Sequence, residues 1–200
     1  METEDNTRDL IIESSITLFY QKGYKGTSVA DIANECDITA AAIYYHFKNK
    51  DHILWECYER LIRELNERVV QEVRTESSPE ERMEKFIGTV FNLWFERPEL
   101  ALLQSNPIAP LNESRREQYK LHRDNWHSFV VELISDLDSS FKNDAEVDIC
   151  AFLLSKSLSY PEMIFEEFGT DYRIMSGTRK KQILKILKRF YLQALMGKSA

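Results

Sequence analysis

Glycine and proline are scarce along this chain, and that scarcity limits how often the backbone can turn sharply. Six glycines and five prolines in 200 residues leave few of the turn signals that a many-stranded β fold requires. Hydrophobic residues make up 43% of the chain and aromatic residues 12%, which is enough for a packed core. We therefore expect an all-α protein built from long helices with short connections.

The first two helices are indicated by apolar spacing and by end signals. Apolar residues recur every three or four positions over residues 8–22, and Gly23 follows where a C-cap glycine would stand. Ser28 and Asp31 then match a capping box, which opens a short second helix ending near Glu35.

A third helix is predicted over residues 40–46. Thr39 can cap it, because its hydroxyl can accept a hydrogen bond from an amide of the first turn, and the three alanines that follow favour helix. Three helices joined by turns of a few residues, with the second and third short, are typical of a helix-turn-helix domain.

The rest of the chain is predicted to be helical as well, which gives about nine helices in all. Ser78-Pro79-Glu80-Glu81 is a strong helix start, and the proline-rich segment 106–112 is the clearest loop. The predicted helices cover about 49–74, 79–95, a short stretch near 100–103, about 27 residues after the loop, 144–168 with an interruption at Pro161, and 178–196 before Gly197.

Charge and targeting signals narrow the function further. The net charge is −7, and residues 1–50 carry five basic against eight acidic side chains, so any DNA binding must come from the placement of a few cations. The N-terminus lacks a basic start followed by an apolar run, and we expect a cytoplasmic protein. Cys36, Cys57 and Cys150 are far apart and are expected to be buried thiols rather than disulfides or zinc ligands.

Residues 23–54 resemble the TetR/AcrR family of bacterial and archaeal repressors. The resemblance lies in Gly23-Tyr24, in Thr27-Ser28-Val29, in Ile32-Ala33, in the cluster Ile43-Tyr44-Tyr45-His46-Phe47, and in Lys50-Asp51 followed by Ile53-Leu54. The sequence departs from the family pattern at Asp37, where glycine is usual. Aspartate tolerates left-handed backbone angles better than most residues, so the turn is still expected to form.

The resemblance implies a DNA-binding domain at residues 1–47 and a helical ligand-binding and dimerisation domain at 48–200. It places residues 40–46 in the major groove and gives Tyr44 and Lys50 phosphate contacts, which position a domain without reading sequence. Tyr44 and especially Phe47 have an alternative role as core aromatics. The DNA-binding candidates are Ser28, Ala30, Thr39, Ala40, Ala41, Tyr44, Tyr45, His46 and Lys50.

Aromatic and polar side chains accumulate on the middle helices beyond what packing requires. They could line a largely apolar pocket with a few orienting polar groups, as small-molecule sites usually do, although each could instead belong to the core. The resemblance implies that the pocket binds a small-molecule effector, and Arg123 or Lys156 is available for an acidic group on it. The pocket candidates are Trp55, Tyr58, Phe91, Trp94, Phe95, Gln104, Tyr119, Arg123, Trp126, His127, Phe152, Lys156 and Tyr160.

An apolar stripe on the last helix predicts a homodimer, together with a second face on the helix before it that consists of Phe152, Leu153, Ser157 and Ile164. The resemblance implies a four-helix bundle from two subunits, and a self-complementary interface suits twofold symmetry. An ordinary core within one chain is the alternative. The dimer candidates are Phe152, Ile183, Leu184, Leu187, Phe190, Tyr191 and Ala194.

Together these expectations describe a repressor that binds a palindromic double-stranded operator and releases it when an effector binds. The helix at about 49–74 would link the pocket to the reading helices. Two other functions stay open: a helical interaction module that has lost DNA binding, and an all-α enzyme. The enzyme is disfavoured because the sequence has no Gly-rich phosphate loop, Gly-x-Ser-x-Gly elbow or His-Glu-x-x-His motif. No catalytic residue or cofactor is predicted. A metal site is not predicted either, because His46 and His52 do not share a helical face.

Overall fold

The structure, a computed structural model, describes residues 2–103, 113–137, 144–159 and 176–196. These residues form eight α-helices and one 3-10 helix without any β-strand, which confirms the predicted all-α class. The helices are α1 (Glu2–Gly26), α2 (Val29–Glu35), α3 (Ala40–His46), α4 (Lys50–Val73), α5 (Pro79–Glu96), the 3-10 helix (Pro98–Leu103), α6 (Glu113–Leu137), α7 (Asp144–Ser159) and α8 (Gly177–Leu195). The predicted loop at 106–112, Pro161 and Gly197 lie outside the described residues. No helix of the described ranges is long and apolar enough to cross a membrane.

The chain divides into two compact units, and the division falls within α4. The first unit comprises Met1–Glu64 and Glu99–Ser114, and the second comprises Leu65–Pro98 and Arg115–Ala200. The first unit thus extends past the predicted domain boundary at residue 47.

Helix α1 begins earlier than predicted and breaks where predicted. It starts at Glu2 rather than Arg8. Gly23 interrupts it with φ 72° and ψ 163°, a conformation that is almost confined to glycine. Behind this break, the hydroxyl of the buried Thr27 shares its single proton between the carbonyl oxygens of Gly23 at 2.9 Å and Leu18 at 3.2 Å.

The caps predicted for α2 and α3 are present. Ser28 and Asp31 form a complete capping box at the start of α2, and the Thr39 hydroxyl accepts the Ala42 amide at 3.2 Å at the start of α3. Helix α2 ends in a Schellman motif, in which the amide of Ile38 donates to the Ala33 carbonyl at 3.0 Å and the amide of Asp37 donates to the Asn34 carbonyl at 3.2 Å. Asp37 takes the left-handed position with φ 53°, as expected for a turn that normally uses glycine.

The core of the first unit joins α1 to the helices that follow it. Arg8 pairs with Glu56, and Arg60 pairs with Asp9 and, at 3.4 Å, with Glu13, so ion pairs link the surfaces of α1 and α4. The buried side chains beneath them include Ile11, Ile12, Ile16, Phe19, Ile32, Ile43, Phe47 and Ile53. Cys36 and Cys57 are buried, as predicted, whereas Cys150 is only half-buried.

Helix α5 is central to the second unit. It starts with the predicted capping box of Ser78 and Glu81, with Pro79 in the first turn. Phe86 contacts α6 through the rings of Trp126 and Phe129, with centroid distances of 5.7 and 6.2 Å. On the side facing α8, Phe91 is buried against a set of half-buried apolar side chains: Phe95, Ile183, Leu184 and Leu187.

Candidate nucleic-acid interface

Helix α3 separates an apolar inner face from an exposed outer face. Ile43 is fully buried, whereas Tyr44 and Tyr45 are 56% and 74% exposed. Ala40 and Ala41 are exposed as well. Two large aromatic side chains on a short helix are held outward because the residue before them anchors the helix to the core. The alternative role of Tyr44 as a core residue does not fit this exposure, whereas Phe47 is buried as expected for a core aromatic.

The DNA-binding candidates on α2 and at the helix caps are exposed, and two of them already form hydrogen bonds within their own helices. Ser28, Ala30 and Thr39 all lie at the surface. The hydroxyls of Ser28 and Thr39 accept amides of their own helices, so they stabilise the helix starts in addition to any contact with a ligand. His46 is half-buried beside the Tyr45 ring, at a centroid distance of 5.1 Å.

Lys50, at the start of α4, contacts the chain just before α2. Its Nζ donates to the carbonyl oxygens of Tyr24 and Thr27, both at 2.9 Å, and lies 4.2 Å from the centre of the Tyr24 ring. The Tyr24 hydroxyl donates to the Asp51 carboxylate. Burial and this carboxylate raise the pKa of Tyr24 to about 12, so its hydroxyl stays a donor at neutral pH. The phosphate role predicted for Lys50 must compete with these contacts.

Two exposed cations near the candidate interface were missed in the sequence analysis. Lys25 lies in the last turn of α1, and Lys48 lies in the connection between α3 and α4. Lys25 precedes α2 and Lys48 follows α3, and both helices contain predicted DNA-binding residues. This closeness along the chain could have identified the two lysines. Since Lys25 and Lys48 are exposed and Lys50 is half-buried, they are better placed for phosphate than Lys50.

Comparison with known proteins fits this geometry. A family model described as "Bacterial regulatory proteins, tetR family" matches residues 11–57, which include α2, α3 and the start of α4. The probable HTH-type transcriptional regulator YttP of Bacillus subtilis is 40% identical over 83 residues, which cover 40% of this chain and 40% of that protein. Residues 11–57 of this chain therefore match the TetR family of bacterial regulators.

Two further similar proteins extend the comparison along the chain. The HTH-type transcriptional repressor KstR2 of Mycolicibacterium smegmatis is 26% identical over 147 residues, which are 71% of each protein. A crystal structure of AibR in complex with isovaleryl coenzyme A and operator DNA has a TM-score of 0.76 with 20% identity, and the likeness covers 92% of this chain and 97% of that one. The shared architecture therefore includes the helices behind the helix-turn-helix. The match to YttP, by contrast, spans about two fifths of that relative's length.

The residues predicted to line the pocket divide into buried and exposed side chains. In the first unit Trp55 and Tyr58 are buried and stacked, with ring centroids 5.4 Å apart. In the second unit Phe91 and Trp94 are buried, and Phe95, Tyr119, Trp126 and His127 are half-buried. Gln104 and Tyr160 lie outside the described residues.

The predicted polar candidates lie toward the surface. Arg123 is exposed and bonds to Asp124 at 3.1 Å, and the half-buried His127 bonds to Asp148 at 2.9 Å. Lys156 is exposed, and its Nζ lies 5.9 Å from the centre of the exposed Phe152 ring. The pocket stays a prediction.

The predicted dimer residues lie on two different faces of α8. Ile183, Leu184 and Leu187 pack on Phe91 within the chain, and the Tyr191 hydroxyl donates to Ser157 of α7. Phe190 and Ala194 are exposed, and Phe152 of α7 is exposed too. Leu153 of the second predicted face is exposed as well, and so are two large apolar side chains absent from the predicted set, Ile149 and Ile186. Ile164 lies outside the described residues. Exposed apolar side chains, rather than Leu187, are therefore the candidates for contact with a second subunit.

Proposed function

We propose that this chain is a transcriptional repressor of the TetR family that binds a palindromic operator as a homodimer and releases it when a small molecule binds. The observation that carries the proposal is the outward presentation of Tyr44 and Tyr45 by an α3 whose Ile43 is buried in the domain core. A short helix offers too few base contacts for useful specificity, so two copies on half-sites related by twofold symmetry are required. A cytoplasmic location follows from DNA as the partner.

Different residues of the interface are proposed to contact the bases and to position the domain on the DNA backbone. Thr39, Ala40, Ala41 and Tyr45 on α3 face the bases, with Ser28 and Ala30 of α2 approaching beside them. Tyr44, Lys25 and Lys48 supply phosphate contacts, which orient the domain without reading sequence. Because the net charge is −7, binding relies on these local contacts and weakens steeply as salt rises.

The effector is proposed to bind among the aromatic side chains of the helices behind the reading domain. Buried Phe91 and Trp94 offer apolar and aromatic contact, as small-molecule pockets usually do. The relative AibR was crystallised with isovaleryl coenzyme A and operator DNA, which makes acyl thioesters of coenzyme A the first compounds to test. A coupling of about 1–3 kcal/mol between effector and operator would change operator affinity about 5- to 150-fold.

A thermal-shift screen followed by operator binding tests this function. Acyl-CoA esters of increasing chain length are added to the protein, with free coenzyme A as the control that lacks the acyl group. The proposal expects at least one ester to raise the melting temperature and to weaken operator binding, while coenzyme A does neither. If compounds stabilise the protein without changing operator affinity, effector-induced release is wrong although DNA binding can still be right.

A further inference from the structure

We propose that His52 is a positioning residue for DNA binding: its neutral ring holds the backbone of Lys48, and operator binding weakens when the ring takes up a proton. The proposal rests on the DNA-binding function proposed above, in which Lys48 contacts a phosphate. His52 lies in the first turn of α4, close to the connection from α3. It and the residues around it all belong to the first unit.

Two hydrogen bonds close the turn that leads from α3 into α4. The Asn49 side chain accepts the His52 amide at 2.8 Å, and Nδ1 of His52 accepts the Lys48 amide at 3.2 Å. This exchange resembles a capping box, in which a side chain at the third helical position reaches back to an amide at the helix start. Glutamate or glutamine usually fills that position, and their oxygens accept at neutral pH. Histidine accepts there only while Nδ1 carries no proton.

The second ring nitrogen determines where the neutral ring carries its hydrogen. Nε2 of His52 lies 3.4 Å from a carboxylate oxygen of Glu56, and an ionised carboxylate can only accept. Nε2 therefore carries the hydrogen, and Nδ1 is the acceptor. The ring also packs edge-on against the buried Phe47, with ring centroids 5.5 Å apart. Glu56 and Phe47 thus hold the ring in the orientation that aims Nδ1 at the Lys48 amide.

Protonation of Nδ1 turns this acceptor into a donor. An Nδ1–H group would face the Lys48 N–H, so the hydrogen bond between them is lost. The first turn of a helix also disfavours a positive charge, because the helix dipole is positive at that end. Glu56 favours the charged ring, but it already pairs with Arg8 of α1. The exposed Lys48 is then released from His52 and loses the position in which it contacts a phosphate.

Two substitutions at His52 separate hydrogen-bond acceptance from titration. His52→Gln keeps an acceptor at every pH used, whereas His52→Ala has none. Operator affinity is measured by fluorescence anisotropy at about pH 8 and about pH 5.5, on either side of the range in which histidines ordinarily titrate. Comparing proteins at the same pH removes the effects of other titrating groups.

The parent should bind operator as tightly as His52→Gln at the higher pH. At the lower pH it should bind about 3- to 10-fold more weakly than His52→Gln, as expected for the loss of one hydrogen bond. His52→Ala should be weaker than His52→Gln by this factor at both pH values. His127→Gln is the matched control: it removes a histidine that pairs with Asp148 in the second unit, and it should keep the pH dependence of the parent.

NMR of the protein without DNA gives an independent measurement. At about pH 8 the ring nitrogen shifts of His52 should show a protonated Nε2 and an unprotonated Nδ1. At about pH 5.5 the Lys48 amide should exchange with solvent faster in the parent than in His52→Gln. If His52→Gln does not fold, the parent is compared with His52→Ala, from which it should differ only at the higher pH.

Three results would overturn this role of His52. A neutral ring with its hydrogen on Nδ1 would not accept the Lys48 amide. Equal operator affinities of the parent and His52→Gln at about pH 5.5 would show that binding does not need the acceptor. Equal exchange of the Lys48 amide in these two proteins would show that His52 does not hold it. If the parent binds no operator at either pH, the proposed function fails, and NMR still decides whether His52 holds Lys48.

Discussion

Asp37 carries the turn of the helix-turn-helix in a left-handed conformation that costs a non-glycine residue about 1–2 kcal/mol. Replacing Asp37 with glycine removes this cost. Glycine, however, loses more conformational entropy on folding, which costs about 0.5–1 kcal/mol. We therefore expect Asp37→Gly to raise the free energy of unfolding by up to about 1 kcal/mol. Urea denaturation at pH 7 measures it.

The control at this position is Asp37→Val. A β-branched side chain is a strong outlier at φ 53°, so this variant should lose roughly 1–3 kcal/mol of stability. Equal stability of the glycine and valine variants would mean that the backbone of the turn is not held in the left-handed conformation.

Helices α4 and α5 are joined by a polar network around Glu72. The buried Thr89 donates its hydroxyl to Glu72 at 2.7 Å, and Glu72 also accepts Arg68 at 3.0 Å, while Arg68 pairs with Glu96 at 2.7 Å. The Thr89 hydrogen bond, followed by the one from Arg68, lowers the pKa of Glu72 below its ordinary value of 4.5. Because the folded-state pKa is depressed, this stabilisation is present above pH 4.5 and is lost as the pH falls through the folded-state value.

Thr89→Val tests the network, since it replaces the hydroxyl with a methyl group of similar size. The Glu72 side chain is 38% exposed and partly screened by solvent, so we expect a loss of about 1 kcal/mol at pH 7. Urea denaturation of parent and variant at pH 7 and pH 3.5 measures the difference, which should shrink at the lower pH. Thr89→Ser keeps the hydroxyl and should retain the pH dependence. If Thr89→Val lowers the free energy of unfolding by the same amount at pH 7 and pH 3.5, the ionised Glu72 does not contribute to the loss.

The helix ends were predictable because capping residues act locally. Ser28 with Asp31, Thr39, and Ser78 with Glu81 each specify a helix start through hydrogen bonds within three residues along the chain. The internal contacts of Lys50 were not predictable, because its bonds connect residues 23 and 26 positions apart and end on backbone carbonyls, which leave no sequence pattern.

The faces of α8 show why the candidate interfaces were harder to predict. Its apolar residues form two stripes, and a helical period cannot tell which of them faces the same chain. Leu187 was predicted to lie in the dimer interface but packs on Phe91, whereas Phe190 is 61% exposed. The pocket is hard to predict for a similar reason. Buried aromatic residues such as Trp94 have the same sequence pattern whether they pack in a core or bind a ligand.

The assembly of two chains is tested best at an exposed apolar residue. We expect Phe190→Lys to shift the protein from dimer to monomer at micromolar concentration, because a cation would be buried without a partner in the interface. Sedimentation velocity measures the change. Leu187→Ala is the control: it opens a cavity beside Phe91 and should lower the melting temperature while the dimer persists. If Phe190→Lys stays dimeric and Leu187→Ala dissociates, the contact face of α8 is the other one.

A transcriptional regulator must bind a particular DNA sequence more tightly than other DNA, and charge attraction alone does not provide this preference. Fluorescence anisotropy with a labelled duplex from the DNA flanking the encoding gene, measured from about 50 to 200 mM salt against unlabelled random duplex, tests this directly. We predict binding at least about a thousandfold tighter than to random duplex, with affinity falling as salt rises. Replacing both Tyr44 and Tyr45 with alanine should abolish the preference while the protein stays folded, since both side chains are exposed. Equal affinity for flanking and random duplexes, or a preference that survives the double substitution, would contradict the role of α3 as the reading helix.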